Sequence, residues 1–416
     1  MSKIVILTPP AHGHINPTLP VAQELVQRGQ QVVYYNTEEF RPAIERTGAL
    51  FRSYPTELLS SEQIRQALQG GNMINIPVLL LRATEKLLPF LLPALERELP
   101  DLLFFDSIAV WGKMAATLLN VRSASSLATL VFDERSLQIT PRKLWLLLRQ
   151  SIPNAPALIR AGLRLRRLYG PGSFPFGQPL FPMRGELNLV FSTRSLQPDL
   201  PLFDDTFRFV GPSINEQTRA DTETLELPQC ANTNGKPLIY ISLGTIHHAQ
   251  SLFYNKCFET FADFPARFIL AAGTATDLVE LAPIPPNFEV YTTVPQLQLL
   301  QQADLFITHG GINSVHEGLY YGVPLLVIPQ QFEQMMNGYC AAKRGAALVI
   351  DDQVLWGRVD MATLGQALES MLTDARYAQA AGSMQKELQA TGGYKQAADE
   401  LQAYIRQPAF PPSLDR

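Results

Sequence analysis

Short apolar runs alternate with helical-period segments through almost the whole chain, and this alternation constrains the fold more than any other feature. Ile4–Leu7, Gln31–Tyr35, Leu102–Phe105 and Leu187–Phe191 read as strands in the first half. Leu238–Leu243, Phe268–Ala272, Leu305–Thr308 and Leu325–Ile328 do so in the second. Runs this continuous suit strands buried on both faces, as in a parallel sheet covered by helices on each side. Leu19, Ala22, Leu25 and Val26 share one helical face, and Gly29 stands where a C-terminal cap belongs. Further helical patterns follow at about 251–263, 312–321, 333–344 and 360–372.

The hydrophobic period lapses over 212–237, where Pro212, Pro228, Gly235 and Pro237 accompany Asp221, Glu223 and Glu226. The division is therefore 1–215, a linker at 216–237, a second domain at 238–390, and a closing helix with a loose tail at 391–416. That last piece packs on either domain, the first included. Each half has the size of one doubly wound α/β domain, so two Rossmann-like domains face each other across a cleft. Ligands of such sheets bind outside the carboxyl ends of the strands.

Charge and cysteine usage narrow the function classes. With 34 basic and 38 acidic residues the net charge is −4, which argues against a dedicated nucleic-acid binder. Cys230, Cys257 and Cys340 form no CxxC pair, so neither a disulfide framework nor a zinc site is expected, and a reducing compartment suits them. Met1-Ser2-Lys3 leads straight into a strand rather than a signal peptide, and no apolar run reaches the roughly 18 residues of a membrane span. The stretch Leu87–Leu95 carries Pro89 and Pro93 between Lys86 and Glu96. A cytoplasmic location is expected. The segment 142–167 holds Arg142, Lys143, Arg149, Arg160, Arg164, Arg166 and Arg167 beside Leu144, Trp145 and Leu146–Leu148, with no acidic residue. It reads as a solvated helical face, a lid, or a weak membrane-surface contact.

Three loops carry chemistry. After the first strand comes Pro9-Pro10-Ala11-His12-Gly13-His14-Ile15-Asn16-Pro17, and a histidine at a strand's carboxyl end has the titration range of a general base. Asp106 ends the apolar strand Leu102–Phe105, where a carboxylate is costly unless paired. It either orients a histidine or caps the helix that follows. After the strand Leu305–Thr308 stand His309-Gly310-Gly311-Ile312-Asn313-Ser314-Val315-His316-Glu317. The glycines admit a ligand to the backbone, the helix start offers free N–H groups to phosphate, and Glu317, one turn on, suits a diol such as ribose. This is neither GxGxxG nor a Walker loop. Ser242-Leu243-Gly244-Thr245 and Pro329-Gln330-Gln331-Phe332-Glu333-Gln334 also follow strands, the latter able to bond sugar hydroxyls or simply to begin a helix. No Asp-x-Asp occurs, and His247-His248 reads as an exposed pair.

His12–Pro17, Val294-Pro295-Gln296 and His309–Glu317 together resemble the family-one, UGT-like glycosyltransferases of GT-B fold, within them the bacterial macrolide and flavonoid branch. The resemblance spans nearly the whole chain, strongest over about 1–50 and 290–345. It implies an inverting transfer of a hexose, glucose foremost, from a nucleotide-diphosphate sugar to a hydroxyl of a hydrophobic small molecule. The first domain would bind the acceptor and the second the donor. His14 would be the base and Asp106 its partner; Thr245, His309, Gly311, Asn313 and Ser314 would hold the diphosphate. Glu317 would hold the ribose, Val294 and Gln296 would lie along the nucleoside, and Glu333 and Gln334 would read the sugar. The implied co-substrate is UDP-glucose, with no cofactor and no metal, and the enzyme would act as monomer or dimer. Thr293 stands where plant members place a tryptophan that stacks on uracil, which leaves uridine and thymidine both open. Two other readings share the scaffold: a nucleotide-sugar epimerase and a silent nucleotide-sugar-binding protein. A third, transfer to a lipid acceptor at a membrane, draws on 142–167. Trp111, Trp145 and the leucines of 78–95 line an acceptor pocket or belong to the core.

Overall fold

The chain builds two all-parallel sheets. The structure, a computed structural model, describes residues 1–55, 59–68, 75–132, 153, 155–174, 181–198, 200–219, 235–244, 251–273, 276–351, 354 and 358–408. In the first sheet β1 (Lys3–Leu7), β2 (Gln31–Asn36), β3 (Leu50–Ser53), β4 (Leu102–Asp106), β5 (Ser123–Leu127), β6 (Leu187–Val190) and β7 (Phe207–Phe209) take the order β3-β2-β1-β4-β5-β6-β7. In the second, β8 (Leu238–Ser242), β9 (Arg267–Ala271), β10 (Phe288–Tyr291), β11 (Leu305–Thr308), β12 (Leu325–Val327) and β13 (Ala347–Val349) take the order β10-β9-β8-β11-β12-β13. Each strand order reverses once, between β1 and β4 and between β8 and β11. At such a switch point the flanking connections leave toward opposite faces and open a crevice.

The eight strands expected from apolar runs are present within a residue or so. Hydropathy misses β3, β5, β7, β10 and β13. The strand β5 shows why: its sequence is Ser-Ala-Ser-Ser-Leu, yet every residue is buried. Two of its serines find partners in a later segment, as the Ser125 hydroxyl donates to the Met183 carbonyl at 2.7 Å and the Ser123 N–H to Glu186 at 3.0 Å. The apolar stretch with Pro89 and Pro93 lies inside one long helix, Asn75–Glu98. Both prolines are exposed and four residues apart, so the carbonyls they leave without N–H partners face solvent.

Register sets the two faces of the first sheet. Ile4, Ile6, Leu102 and Phe104 pack with Leu19, Ala22 and Leu25 of the Thr18–Gln27 helix on one side. On the other, Val5, Leu7, Leu103 and Phe105 pack with Leu87, Leu91 and Leu95 and with Met114. Trp111 belongs to this second core, fully buried, with its indole N–H donating to the Tyr54 hydroxyl at 3.1 Å. Trp145 lies outside the described residues, as do the rest of 142–152 and residue 154, the stretch 220–234 with Cys230, the tail from 409, and His247 and His248. The Ala155–Tyr169 helix buries Leu165 and leaves Ile159 and Leu163 exposed. Among the described residues, no helix is long and apolar enough to cross a membrane.

The chain ends in the domain where it began. Ala397, Ala398 and Leu401 of the Gly393–Arg406 helix are fully buried in the core formed by Ile4, Leu19 and Leu25. Arg122 fastens the end of that helix by donating to the carbonyls of Tyr404 at 2.7 Å and Ile405 at 2.9 Å. A late helix is thus part of the first domain's stability, so Leu401→Ala should cost about 2–5 kcal/mol as a cavity in that core. Urea denaturation followed by far-ultraviolet circular dichroism should show the loss, and a variant with unchanged midpoint would place the helix outside the cooperative unit.

Candidate active site

The crevice of the first sheet is formed by the loops leaving β1 and β4, neighbours paired up to Leu7 and Phe105. Asn36, at the end of β2, is buried and donates from Nδ2 to the Thr8 hydroxyl at 2.8 Å. Tyr34 joins Thr8 and Thr18 through its hydroxyl at 3.2 and 2.6 Å, which fixes both ends of the loop between them. Within that loop His12–Ile15 forms one helical turn, and this turn aims His14 at β4. His14 Nδ1 lies 2.9 Å from Asp106 Oδ2, with 18% exposure for the imidazole and none for the carboxylate. His12 takes another direction, its ring standing edge-on to Phe40 at 5.0 Å. The second oxygen of Asp106 accepts from the Ile108 N–H at 2.9 Å. Asp106 is therefore not the helix cap; the Val110–Leu119 helix begins after Ala109, and the carboxylate closes a tight turn before it.

Electrostatics at His14 follows from this geometry. Burial pushes the imidazole down, but the charge and hydrogen bond of Asp106, with the charge of Glu333, more than reverse it. The ring is thus held above the ordinary value of 6.5. With the histidine oriented through Nδ1, Nε2 is the nitrogen left to meet an incoming hydroxyl. Glu333 comes from the opposite domain. Burial raises its carboxyl above the usual range, against the opposing hydrogen bond of Asn337 and the charge of His14.

The crevice of the second sheet carries the His-Gly-Gly loop. The His309 ring lies between two glycines: a Cβ on Gly244 would come within 2.8–3.2 Å of its ring atoms, and one on Gly311 within 2.5 Å of Nε2. Gly244 also has φ of +82°, so both space and backbone demand glycine there. Gly311 precedes the Ile312–Tyr320 helix and offers no side-chain cap, which leaves the first-turn N–H groups directed at the crevice with the positive end of the helix dipole. Asn313 reaches across and donates to the Gly13 carbonyl at 3.0 Å, and Ser314 lies partly buried on the same turn. This contact seats the helix start beside the His14 turn.

The remaining expected residues occupy defined places. Glu317 is almost fully buried; Arg219 pairs with its Oε1, and Gln296 donates to Oε2 at 2.5 Å. Gln296 in turn accepts from the Tyr240 hydroxyl at 3.0 Å. Val294 packs on the second domain's core. Gln334 is buried, with its side-chain oxygen accepting from the Gln330 N–H at 2.9 Å. Thr245 lies outside the described residues. Two contributors escape a reading of motifs. Asn337 is fully buried and donates both to Glu333 at 2.7 Å and to the Gly310 carbonyl at 3.1 Å, tying the start of the Phe332–Lys343 helix to the His-Gly-Gly loop. Its spacing of four from Glu333 on a helix was the available signal. Arg219 sits in the connector between domains, where nothing in the sequence marks it.

The domains also meet away from the crevices. His316 Nε2 lies 2.9 Å from the Ser192 hydroxyl, and burial lowers the ring to about 4. The unfolded chain takes up that proton from about 6.5 downward while the folded one waits until about 4. Stability at this contact therefore declines as pH falls through that window. Among the described residues no three His, Cys, Asp or Glu side chains gather as a metal site.

Removing the Asp106 charge should leave burial as the dominant influence on His14. The Asp106→Asn variant should then titrate His14 below the wild-type value in a ring-proton NMR titration, and an unchanged value would contradict the pairing. The sign for stability follows. A raised folded value contributes below the unfolded 6.5 and is lost as pH climbs through the folded one.

The chain resembles known proteins along nearly its whole length. Residues 256–403 match the family model described as erythromycin biosynthesis protein CIII-like, C-terminal domain. The chain is 34% identical to NDP-glycosyltransferase YjiC of Bacillus licheniformis, over 97% of each protein. It is 30% identical to the demethyllactenocin mycarosyltransferase of Streptomyces fradiae, over 97% of this chain and 87% of that one. The crystal structure of the glycotransferase of kitacinnamycin superposes with a TM-score of 0.78 at 29% identity, covering 97% of this chain and 98% of that chain.

Proposed function

The chain belongs to the family-one GT-B glycosyltransferases, in the bacterial macrolide branch, and from that premise we propose that it moves glucose from UDP-glucose to a hydroxyl of a hydrophobic small molecule with inversion at the anomeric carbon. The observation that carries the chemistry is the junction of the two crevices. The Asp106-held imidazole of His14 and the start of the Ile312–Tyr320 helix are joined by the contact of Asn313 with Gly13. An acceptor hydroxyl at His14 Nε2 gives up its proton as its oxygen attacks C1 of the sugar, and the bond from C1 to the diphosphate breaks. The imidazolium that forms is balanced by Asp106. Charge on the departing diphosphate falls on the first-turn N–H groups of the helix, with Gly311, Asn313, Ser314 and His309 around it, which removes the need for a divalent ion.

Attack from the side of His14, opposite the leaving group, converts an α-linked donor into a β-glycoside. Glu333 and Gln334 stand at the start of the helix facing His14, suited to the hydroxyls of glucose. Their selectivity comes from orientation: Asn337 and the Gln330 N–H hold the carboxylate and the amide oxygen in place. The names of the relatives, a macrolide mycarosyltransferase among them, agree with a natural-product acceptor. An epimerase would have no use for a base positioned on the acceptor side of the cleft.

The decisive assay follows UDP released from UDP-glucose with and without a phenolic acceptor, in EDTA. Release should require the acceptor, and the product should be a β-glucoside by NMR. His14→Ala should lower kcat by about 10²–10⁴ with little change in the donor KM. Turnover untouched by that substitution, or release independent of acceptor, would refute the assignment; faster turnover with dTDP-glucose would move the donor to thymidine.

A further inference from the structure

The carboxylate assigned to the ribose has both oxygens engaged from within the protein. Gln296 holds Oε2 at 2.5 Å and is itself held by the Tyr240 hydroxyl at 3.0 Å, and the Tyr240 ring stacks on Phe306 at 4.6 Å. That side of Glu317 is rigid. Arg219 holds Oε1 and comes from the connector between the domains. Its side chain is 14% exposed and that of Glu317 is 5% exposed, so solvent ions screen the pair little. A shallow recess opens beside it, lined by Asn16, Pro17, Asn313 and His316 with the two charged residues themselves.

We propose that Arg219 is an internal competitor of the donor's ribose, a linker latch on Glu317 that nucleotide binding must displace. The inference rests on the reading of Glu317 as the ribose carboxylate. A vicinal diol donates two hydrogen bonds and is best met by a carboxylate with two accepting oxygens; Gln296 is fixed, so Arg219 is the partner that gives way. The latch also ties nucleotide binding to the connector. The Arg219 carbonyl accepts from Arg46 of the first domain at 3.0 Å, and Asn215 donates to Gln23 there at 3.3 Å. Glu216 accepts from Gln301 at 2.6 Å and from the Tyr321 hydroxyl at 3.2 Å on the second domain. Release of the guanidinium loosens one end of a strap that spans both domains. The cost appears as reduced apparent affinity, by the fraction of molecules in which Glu317 is available.

Calorimetry with UDP and with 2′,3′-dideoxy-UDP, on the wild type and on Arg219→Gln, Arg219→Lys and Glu317→Gln, separates the possibilities. If the latch is closed nine-tenths of the time, Arg219→Gln should tighten UDP about tenfold. It should leave dideoxy-UDP unchanged, because that ligand has no diol to compete, and Arg219→Lys should resemble the wild type. Glu317→Gln should weaken UDP and spare dideoxy-UDP. UDP binding weakened or unaltered by Arg219→Gln, with Glu317→Gln still weakening it, overturns the latch and leaves the ribose reading intact. Both nucleotides indifferent to Glu317→Gln overturns the ribose reading and the latch together. Hydrogen exchange on the wild type serves if Arg219→Gln does not fold: UDP, but not dideoxy-UDP, should speed exchange of the amides at 216–219, and protection there would overturn the proposal.

Discussion

A carboxylate with no exposed surface at the end of an apolar strand is the constraint on which the site depends. Asp106 cannot remain charged there without partners, and removing one member of a buried pair costs about 3–5 kcal/mol. The fold answers with two. The Ile108 N–H takes one oxygen and His14 the other, so the loop after β1 is held against the loop after β4. A residue that stabilises the folded chain thereby also sets the tautomer and direction of an imidazole. The Asn36–Thr8–Tyr34–Thr18 network behind the loop serves the same end, because an imidazole held at one nitrogen is oriented only if its backbone is fixed as well.

The two sheets repeat one architectural device with opposite chemistry. At the β1/β4 switch point the crevice presents an imidazole and its carboxylate; at the β8/β11 switch point it presents helix N–H groups, glycines and a histidine ring. In the proposed displacement neither half would suffice alone, since one would handle a proton and the other a leaving anion. Their joining depends on domain contacts of modest size: Asn313 to Gly13, His316 to Ser192, and Arg344 to the Ser195 carbonyl at 2.8 and 2.6 Å. Leu130 and Leu196 of the first domain add apolar contact with the second domain's core. Interfaces of this kind permit the domains to move relative to one another, as loading of two substrates into a shared cleft requires.

The loops that carry chemistry were the most legible parts of the sequence, because glycine, proline and charged residues at the end of an apolar strand have few structural excuses. Gly311 and the His309 neighbourhood are an instance: the ring lies where only residues without a Cβ can flank it. Asp106 was legible as an anomaly but ambiguous in role, and the structure gives it a turn to close as well as a histidine to hold. Asn337 and Arg219 were not legible. For Asn337 only its spacing of four from Glu333 was visible, its bond to the Gly310 carbonyl being a contact across 27 residues, and Arg219 lies in a connector whose composition reads only as polar. β5 was missed for a related reason: two of its buried serines, Ser123 and Ser125, take their hydrogen-bond partners, Glu186 and Met183, from a segment about 60 residues later.

By itself the sequence determined the α/β class, the two-domain layout and the loops that face the cleft, since all three follow from local hydrophobic period and from where that period breaks. It also determined which residues are chemically out of place in those loops. The tertiary structure decided which of them meet. It turned His14 rather than His12 toward Asp106, buried Trp111 in the core, brought the final helix back onto the first domain, and set Arg219 on Glu317. Each of those outcomes is marked by a hydrogen bond or ion pair between residues 57 to 283 positions apart. Propensity acts over a few residues, whereas such contacts arise only when whole sheets and helices have packed and the buried charges have found their partners.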